Sequence, residues 1–219
     1  MKNIILLAPP ASGKGTQASL LKENFNLVHI STGDLLRTYA SRDDELGRKI
    51  NEIMSSGTLV SDDIVIELLE NKIISTIGNN GFIFDGFPRN INQANELDRL
   101  LNSLNMKIDY VFLLNTDYEI LKQRILGRRI CNKCYASYNI NTEELMPKIE
   151  NTCDKCGNQL TSRSDDNLDS FEIRYQEYLS STYPIIEYYK NKGILIEIDS
   201  SRNKEDIFND ISNYMKRDV

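Results

Sequence analysis

The chain has 219 residues, 40% of them hydrophobic and 26% charged, with a formal net charge of −6. That length suffices for one sizeable core with excursions, and the composition excludes a disordered chain. The acidic balance argues against nucleic acid as the main partner, because backbone-phosphate affinity comes from dense Lys and Arg, and no segment approaches the ~18 consecutive apolar residues of a membrane span.

Ile4 to Leu7 reads as a buried strand, and the helical pattern from Thr16 to Glu23 follows it through Ala8-Pro9-Pro10-Ala11-Ser12-Gly13-Lys14-Gly15-Thr16. A strand that feeds a helix through a Gly-containing turn leaves the first helical N–H groups pointing outward, where an anion can take them up. Lys14 adds a point charge that can reach terminal phosphates, and Thr16 a hydroxyl near a metal. The apolar run is too short for a signal peptide, so the expectation is a chain that is not exported and works in a cytoplasm.

Leu27 to Ile30 reads as a second strand, with the chain's single histidine, His29, near its end and no evident partner for it. Ser31-Thr32-Gly33-Asp34 then falls at the carboxyl edge of the sheet, where open α/β folds bind ligands. Ser31 or Thr32 can cap the helix carrying Arg37. Ala40 to Gly57 is polar and weakly helical, so residues 31 to 60 look like a helical insertion. Ser61-Asp62-Asp63 opens a helix with Ile64, Val65, Leu68, Leu69 and Ile73 at helical spacing.

Gly81 to Phe84 is the next strand and ends at Asp85, whose carboxylate is costly in an apolar strand unless it is paired or held near a metal. In a phosphate-loop protein this is the acid that orders Mg²⁺ and its water. Arg89 presents a fork suited to phosphate, and Asn90 with Gln93 can form a reciprocal helix cap. Tyr110 to Leu114 is a fourth strand. Tyr118 to Arg129 reads as a helix with Arg124 and Arg128 on one face, as if an anion lay between them. Ile194 to Ile198 is a fifth strand, and the final helix buries Ile207, Phe208, Ile211, Tyr214 and Met215. Strands and helices alternating in this way imply a parallel sheet covered on both faces.

All four cysteines lie in two Cys-x2-Cys knuckles, Cys131/Cys134 and Cys153/Cys156, separated by residues 135 to 152. That spacing matches a tetrahedral four-thiolate Zn²⁺ site with no open position, hence a structural one. Arg163 and Arg174 follow it, so a flap with arginines at its hinges could close over a polyphosphate and exclude water.

Together these residues resemble the adenylate kinases, specifically the long-lid, zinc-containing form. The resemblance rests on Gly13-Lys14-Gly15-Thr16, Ser31-Thr32-Gly33-Asp34 with Arg37, Asp85-Gly86-Phe87-Pro88-Arg89 with Gln93, Gly127-Arg128-Arg129, the four cysteines, and Arg163-x-Asp165-Asp166 with Arg174, and covers essentially the whole chain. It implies an α/β, three-layer P-loop fold with a five-stranded parallel sheet. The core would comprise residues 1–30, 61–127 and 163–219, a nucleoside-monophosphate domain 31–60, and a zinc-ribbon-like lid 128–162. The implied reaction is MgATP plus AMP giving two ADP, by a monomer, with Lys14, Arg89, Arg128, Arg163 and Arg174 catalytic.

By the same resemblance Ala11, Ser12, Gly13, Lys14, Gly15 and Thr16, with Arg124, Arg128, Tyr138 and Arg202, border ATP. Thr32, Arg37, Thr58, Leu59, Val60, Gly86, Phe87, Arg89, Gln93, Arg163 and Arg174 hold AMP, and Thr16 and Asp85 hold Mg²⁺ through water. Three positions depart from the family pattern. Ala8 and Ala11 replace two glycines of the loop, which strains it by about 1 kcal/mol wherever φ is positive. Asn139 replaces a histidine after Tyr138. A kinase of another monophosphate (UMP or CMP, or one using GTP), a non-catalytic nucleotide switch and a zinc-ribbon nucleic-acid binder remain the rival readings.

Overall fold

The computed structural model describes residues 2–55, 60–163 and 165–216. Its main sheet has five parallel strands in the spatial order β2 (Val28–Ser31), β3 (Phe82–Asp85), β1 (Ile4–Leu7), β4 (Tyr110–Asn115) and β8 (Leu195–Asp199). Side chains alternate across a strand, so both faces must be covered if both are apolar. Ile5, Leu7, Phe82, Phe84, Val111 and Leu113 point into one buried cluster with α4 (Asp62–Ser75), α5 (Ile91–Ser103) and α8 (Tyr183–Asn191). Ile4, Leu6, Ile83, Phe112 and Leu114 point into the other, with α1 (Lys14–Phe25) and α9 (Lys204–Lys216). This is the three-layer α/β arrangement that the strand–helix alternation implies.

All five carboxyl ends lie at one edge, and from β1 the strand order departs both ways, to β3 and β2 on one side and to β4 and β8 on the other, which places the loop after β1 at the switch point. Two excursions rise from that edge. The first holds α2 (Thr32–Ala40) and α3 (Glu45–Ser55). The second runs from β5 (Arg128–Cys131) through β6 (Ser137–Asn139) to β7 (Leu160–Thr161), an antiparallel sheet in the order β6-β5-β7, and returns through α7 (Leu168–Glu177).

One element differs from its expectation. The helix α6 (Tyr118–Gly127) stops before Arg128, whose backbone is extended and opens β5. Arg124 and Arg128 therefore do not share a helical face. The stop is a long-range cap: Asn139 donates from Nδ2 to the carbonyl of Arg124 at 2.7 Å and accepts the Asn141 N–H at 2.9 Å. A Cβ on Gly127 would lie 2.2 Å from Asn139 Oδ1, so only glycine lets the two segments meet this closely.

Candidate active site

The loop after β1 turns into α1 at Gly13, which takes φ 89°, and Lys14 is the first helical residue. No acid stands in the first turn of α1 and Gly13 before it makes no side-chain cap, an arrangement that suits an anion at its outward N–H groups. Ser12 is buried and its Oγ has no hydrogen-bond partner, which leaves a polar atom in the loop for something not of the chain. Ala11 takes φ 65°, the left-handed region in which alanine is strained, whereas Ala8 carries no positive φ. The methyl of Ala11 packs against the cluster formed by Leu121, Ile125 and Phe171.

Lys14 Nζ lies 3.5 Å from Oδ1 of Asp85, at the end of the neighbouring strand. The other oxygen of Asp85 meets His29 Nε2 at 3.0 Å, so the single histidine does have a partner. Burial raises the affinity of Asp85 for its proton, but the Lys14 charge and the His29 hydrogen bond outweigh it and hold the carboxyl below its ordinary value. Lys14 is itself pushed down, by burial first and by the charges of Arg89 and Arg174 against the pull of Asp85.

The same pressure runs through the arginines. Arg89 is pushed down by burial and then by Arg174, and its Nε donates to the Gly86 carbonyl at 2.9 Å. Arg163, at the exit of the second excursion, is pushed down to about 10 by burial and by the charges of Arg128 and Arg37. Arg174 on α7 is pushed down by burial and by the charges of Arg128 and Arg37, against the pull of Asp165, to which it donates at 2.8 Å. Arg128 is held by both oxygens of Asp166, with Nε to Oδ2 at 2.8 Å. Cations that bury and repel one another are stable only if an anion joins them. Residues from α1, α2, β3, β5 and α7, with Arg89 and Arg163 from the loops between elements, thus meet as one electropositive cleft.

The remaining predicted residues fall around it. Ser31 caps α2, accepting the Asp34 N–H at 3.2 Å, while Thr32 Oγ1 donates to the Gly86 carbonyl at 2.8 Å. Arg37 pairs with Asp34. Thr32, Val60, Gly86, Arg89 and Gln93 line a small cavity beside the cleft, with the buried Phe87 next in the chain. Thr58 and Leu59 lie outside the described residues. The expected reciprocal cap at Asn90 is displaced by one residue: Asn90 accepts the Gln93 N–H at 2.8 Å, but Gln93 Oε1 accepts from Arg89 N at 2.7 Å.

On the opposite side Arg124 donates to the carbonyls of Ser200 and Ser201 at 2.8 and 3.3 Å, and Arg202 pairs with Asp199 and Asp210. Tyr138 turns its hydroxyl away, 3.5 Å from Cys153 Sγ, and accepts the Asp154 N–H at 2.8 Å. Sequence reasoning missed His29 and the acids Asp165 and Asp166 as partners of this site. His29 with Asp85 and Arg128 with Asp166 join segments far apart in the chain, and Arg174 with Asp165 joins a loop to the helix after it, none of which local spacing registers.

The four cysteine sulfurs lie within 4.8 Å of one another, with Cys131 to Cys156 and Cys134 to Cys153 each 3.4 Å apart. A tetrahedron with ~2.3 Å metal–sulfur bonds has sulfur–sulfur edges of about 3.8 Å, so the donor set fits Zn²⁺. The four sulfurs also act on one another's protons. The Tyr138 hydroxyl draws Cys153 down to about 6. A backbone N–H of Asn158 favours the Cys156 thiolate, yet the Cys131, Cys134 and Cys153 sulfurs push that thiol up to about 12. Four thiolates together require a cation among them.

The sequence pattern of the family described as Adenylate kinase matches residues 6–194. A protein named Adenylate kinase from Clostridium tetani (strain Massachusetts / E88) is 41% identical over 213 residues, covering 97% of this chain and 98% of the relative. One of the same name from Thermoanaerobacter sp. (strain X514) is 43% identical over 208 residues, 95% of each chain. Another from Clostridium botulinum (strain Loch Maree / Type A3) is 40% identical over 215 residues, 98% of this chain and 99% of the relative.

Proposed function

Since this chain belongs to the adenylate kinase family and so transfers the terminal phosphoryl of MgATP reversibly to AMP, giving two ADP, we propose that the half-buried cations of the cleft are its catalytic apparatus. In this reading a phosphate oxygen of AMP attacks the terminal phosphorus of ATP, and the bond from that phosphorus to the bridging oxygen breaks. AMP's phosphate is already anionic near neutral pH, so no general base is needed. The chain's task is alignment and compensation of charge on the group in flight.

Lys14 and the N–H groups of residues 11 to 16 cradle the ATP phosphates, with Arg128 and Arg163 on the transferring side. Arg37 and Arg89 hold the AMP phosphate, and Arg174 spans the two. Arg124, the backbone near Arg202 and the ring of Tyr138 border the ATP adenine. Thr32, Val60, Gly86, Phe87 and Gln93 enclose AMP. Thr16 and Asp85 would hold Mg²⁺ through its waters, and that ion, bound with ATP, neutralises charge on the phosphates. The cysteines would hold a structural Zn²⁺, which contributes folding free energy to an excursion too small to bury a core. Residues 31–60 and 128–162 act as the monophosphate domain and the lid, whose closure excludes water.

The observation that carries this reading is that Lys14, Arg89, Arg163 and Arg174, from four parts of the chain, are half-buried at one place, with Lys14 3.5 Å from Asp85 and Arg174 2.8 Å from Asp165, each held below its ordinary proton affinity there. In this reading the chain is a monomer, and thiols gathered in one cluster suit a cytoplasm. Among the described residues no helix is long and apolar enough to cross a membrane. A coupled assay of ADP formation tests the assignment. Lys14→Met or Arg89→Met should lower kcat by about a hundredfold or more, the scale of losing ~3 kcal/mol of transition-state stabilisation. Wild-type turnover in either variant would overturn it.

A further inference from the structure

The cavity lined by Thr32, Gly86, Arg89 and Gln93 has a feature that the binding of AMP does not by itself require. Three side-chain amides converge on one carboxylate: Asp62, the first residue of α4, accepts from Asn90 Nδ2 at 3.1 and 3.2 Å, from Asn92 Nδ2 at 2.9 Å and from Gln93 Nε2 at 2.6 Å. Gln93 is buried, and its other end, Oε1, accepts the backbone N–H of Arg89 at 2.7 Å. A carboxylate can only accept and a backbone N–H can only donate, so the carboxamide of Gln93 fits one way round.

The geometry points to Asp62 as the residue that sets base specificity by fixing the orientation of the Gln93 amide. This rests on the reading that Gln93 meets the base of the monophosphate. Each amide oxygen accepts two hydrogen bonds and each NH2 donates two. With one of each committed to Arg89 and Asp62, an acceptor and a donor remain side by side, in fixed order, for the ligand. Adenine offers the complement, an exocyclic N–H beside an unprotonated ring nitrogen. Hypoxanthine offers the reverse, a carbonyl beside a ring N–H, and would need the amide flipped at the loss of both inner hydrogen bonds. Thr32 is committed in the same sense: its proton goes to the Gly86 carbonyl, which leaves its oxygen as an acceptor. Discrimination then comes from unpaired polar groups imposed on the wrong base.

The test measures kcat/KM for AMP and for IMP with saturating MgATP in wild type, Asp62→Ala, Asp62→Asn and Gln93→Ala, with thermal denaturation of each. In Asp62→Ala the Arg89 N–H alone holds the amide, and in Asp62→Asn the new amide can turn either end toward Gln93. The AMP-over-IMP ratio should fall about three- to tenfold in both, while the KM for ATP stays at the wild-type value. A ratio that falls in Gln93→Ala but not in the Asp62 variants overturns the orienting role and leaves the base-reading role of Gln93 intact. An unchanged ratio in Gln93→Ala overturns both. Lower thermal stability in the Asp62 variants with an unchanged ratio assigns Asp62 to holding α4 against α5 alone, and the inference fails.

Discussion

Ala11 and Tyr135 both sit at positive φ, 65° and 59°, where a side chain costs about 1 kcal/mol relative to glycine. Their surroundings separate them. Tyr135 is 80% exposed, so Tyr135→Gly should remove the strain with little packing lost and stabilise the protein by about 0.5 to 1 kcal/mol. The methyl of Ala11 packs against the cluster of Leu121, Ile125 and Phe171, and removing it sacrifices about 0.8 kcal/mol of burial. Ala11→Gly should therefore leave stability nearly unchanged. Thermal denaturation of the two variants checks the contrast, and equal gains would mean that the packing at Ala11 contributes nothing. The sequence located the strain only conditionally, through the two alanines in the loop. Which of them needs a left-handed backbone was decided by the path of the loop around its ligand site.

At the scale of elements, the cluster of the excursion from β5 to β7 comprises the buried Cys131, Cys153 and Leu160 and a few partly buried residues, so in the proposed reading its order should depend on a metal held by the four cysteines. Chelation should abolish hydrogen-exchange protection in residues 128–162 while the five-stranded sheet keeps its own. Loss of both together would show that the excursion and core unfold as one unit. The knuckles were legible because Cys-x2-Cys pairs carry their geometry in their spacing. The end of α6 was not, because its cap is Asn139, which arrives from β6 and reaches back to the Arg124 carbonyl. Gly127→Ala should disturb this junction, since the new Cβ would meet Asn139 Oδ1 at 2.2 Å. The expected result is lower turnover with the circular dichroism of the core unchanged.

For the whole molecule, the charge distribution sets how stability responds to pH and to ligand. Asp34, Asp62 and Asp85 have folded-state proton affinities below their ordinary value of 3.8. The stability they contribute is present above that value and is lost as pH falls through their depressed folded values. Denaturation midpoints should therefore be level near neutral pH and drop below about pH 4. Lys14, Arg89, Arg163 and Arg174 behave oppositely. Their affinities are also depressed, so as cations they oppose folding throughout the range below their folded values, which for Arg163 is about 10. An anion relieves that opposition. ATP at a hundredfold excess over its dissociation constant should add about 2.7 kcal/mol of stability. At the same fixed ATP concentration, Arg174→Met should show a smaller nucleotide-induced rise in Tm than wild type; an equal rise would remove Arg174 from the binding site.

The sequence by itself determined the strands, the strand-to-helix turn at Gly13-Lys14, the gathering of the four cysteines and the family, because each is written in local spacing: alternation in a strand, the turn between strand and helix, the gap between paired cysteines. Only the tertiary structure decided that His29 and Lys14 share Asp85, that Asp165 and Asp166 hold Arg174 and Arg128, and that Asp62 gathers three amides around Gln93. Those pairs join residues from separate elements, and a hydrogen bond or an ion pair depends on distance in space, which a parallel sheet sets by bringing the ends of remote strands to one edge.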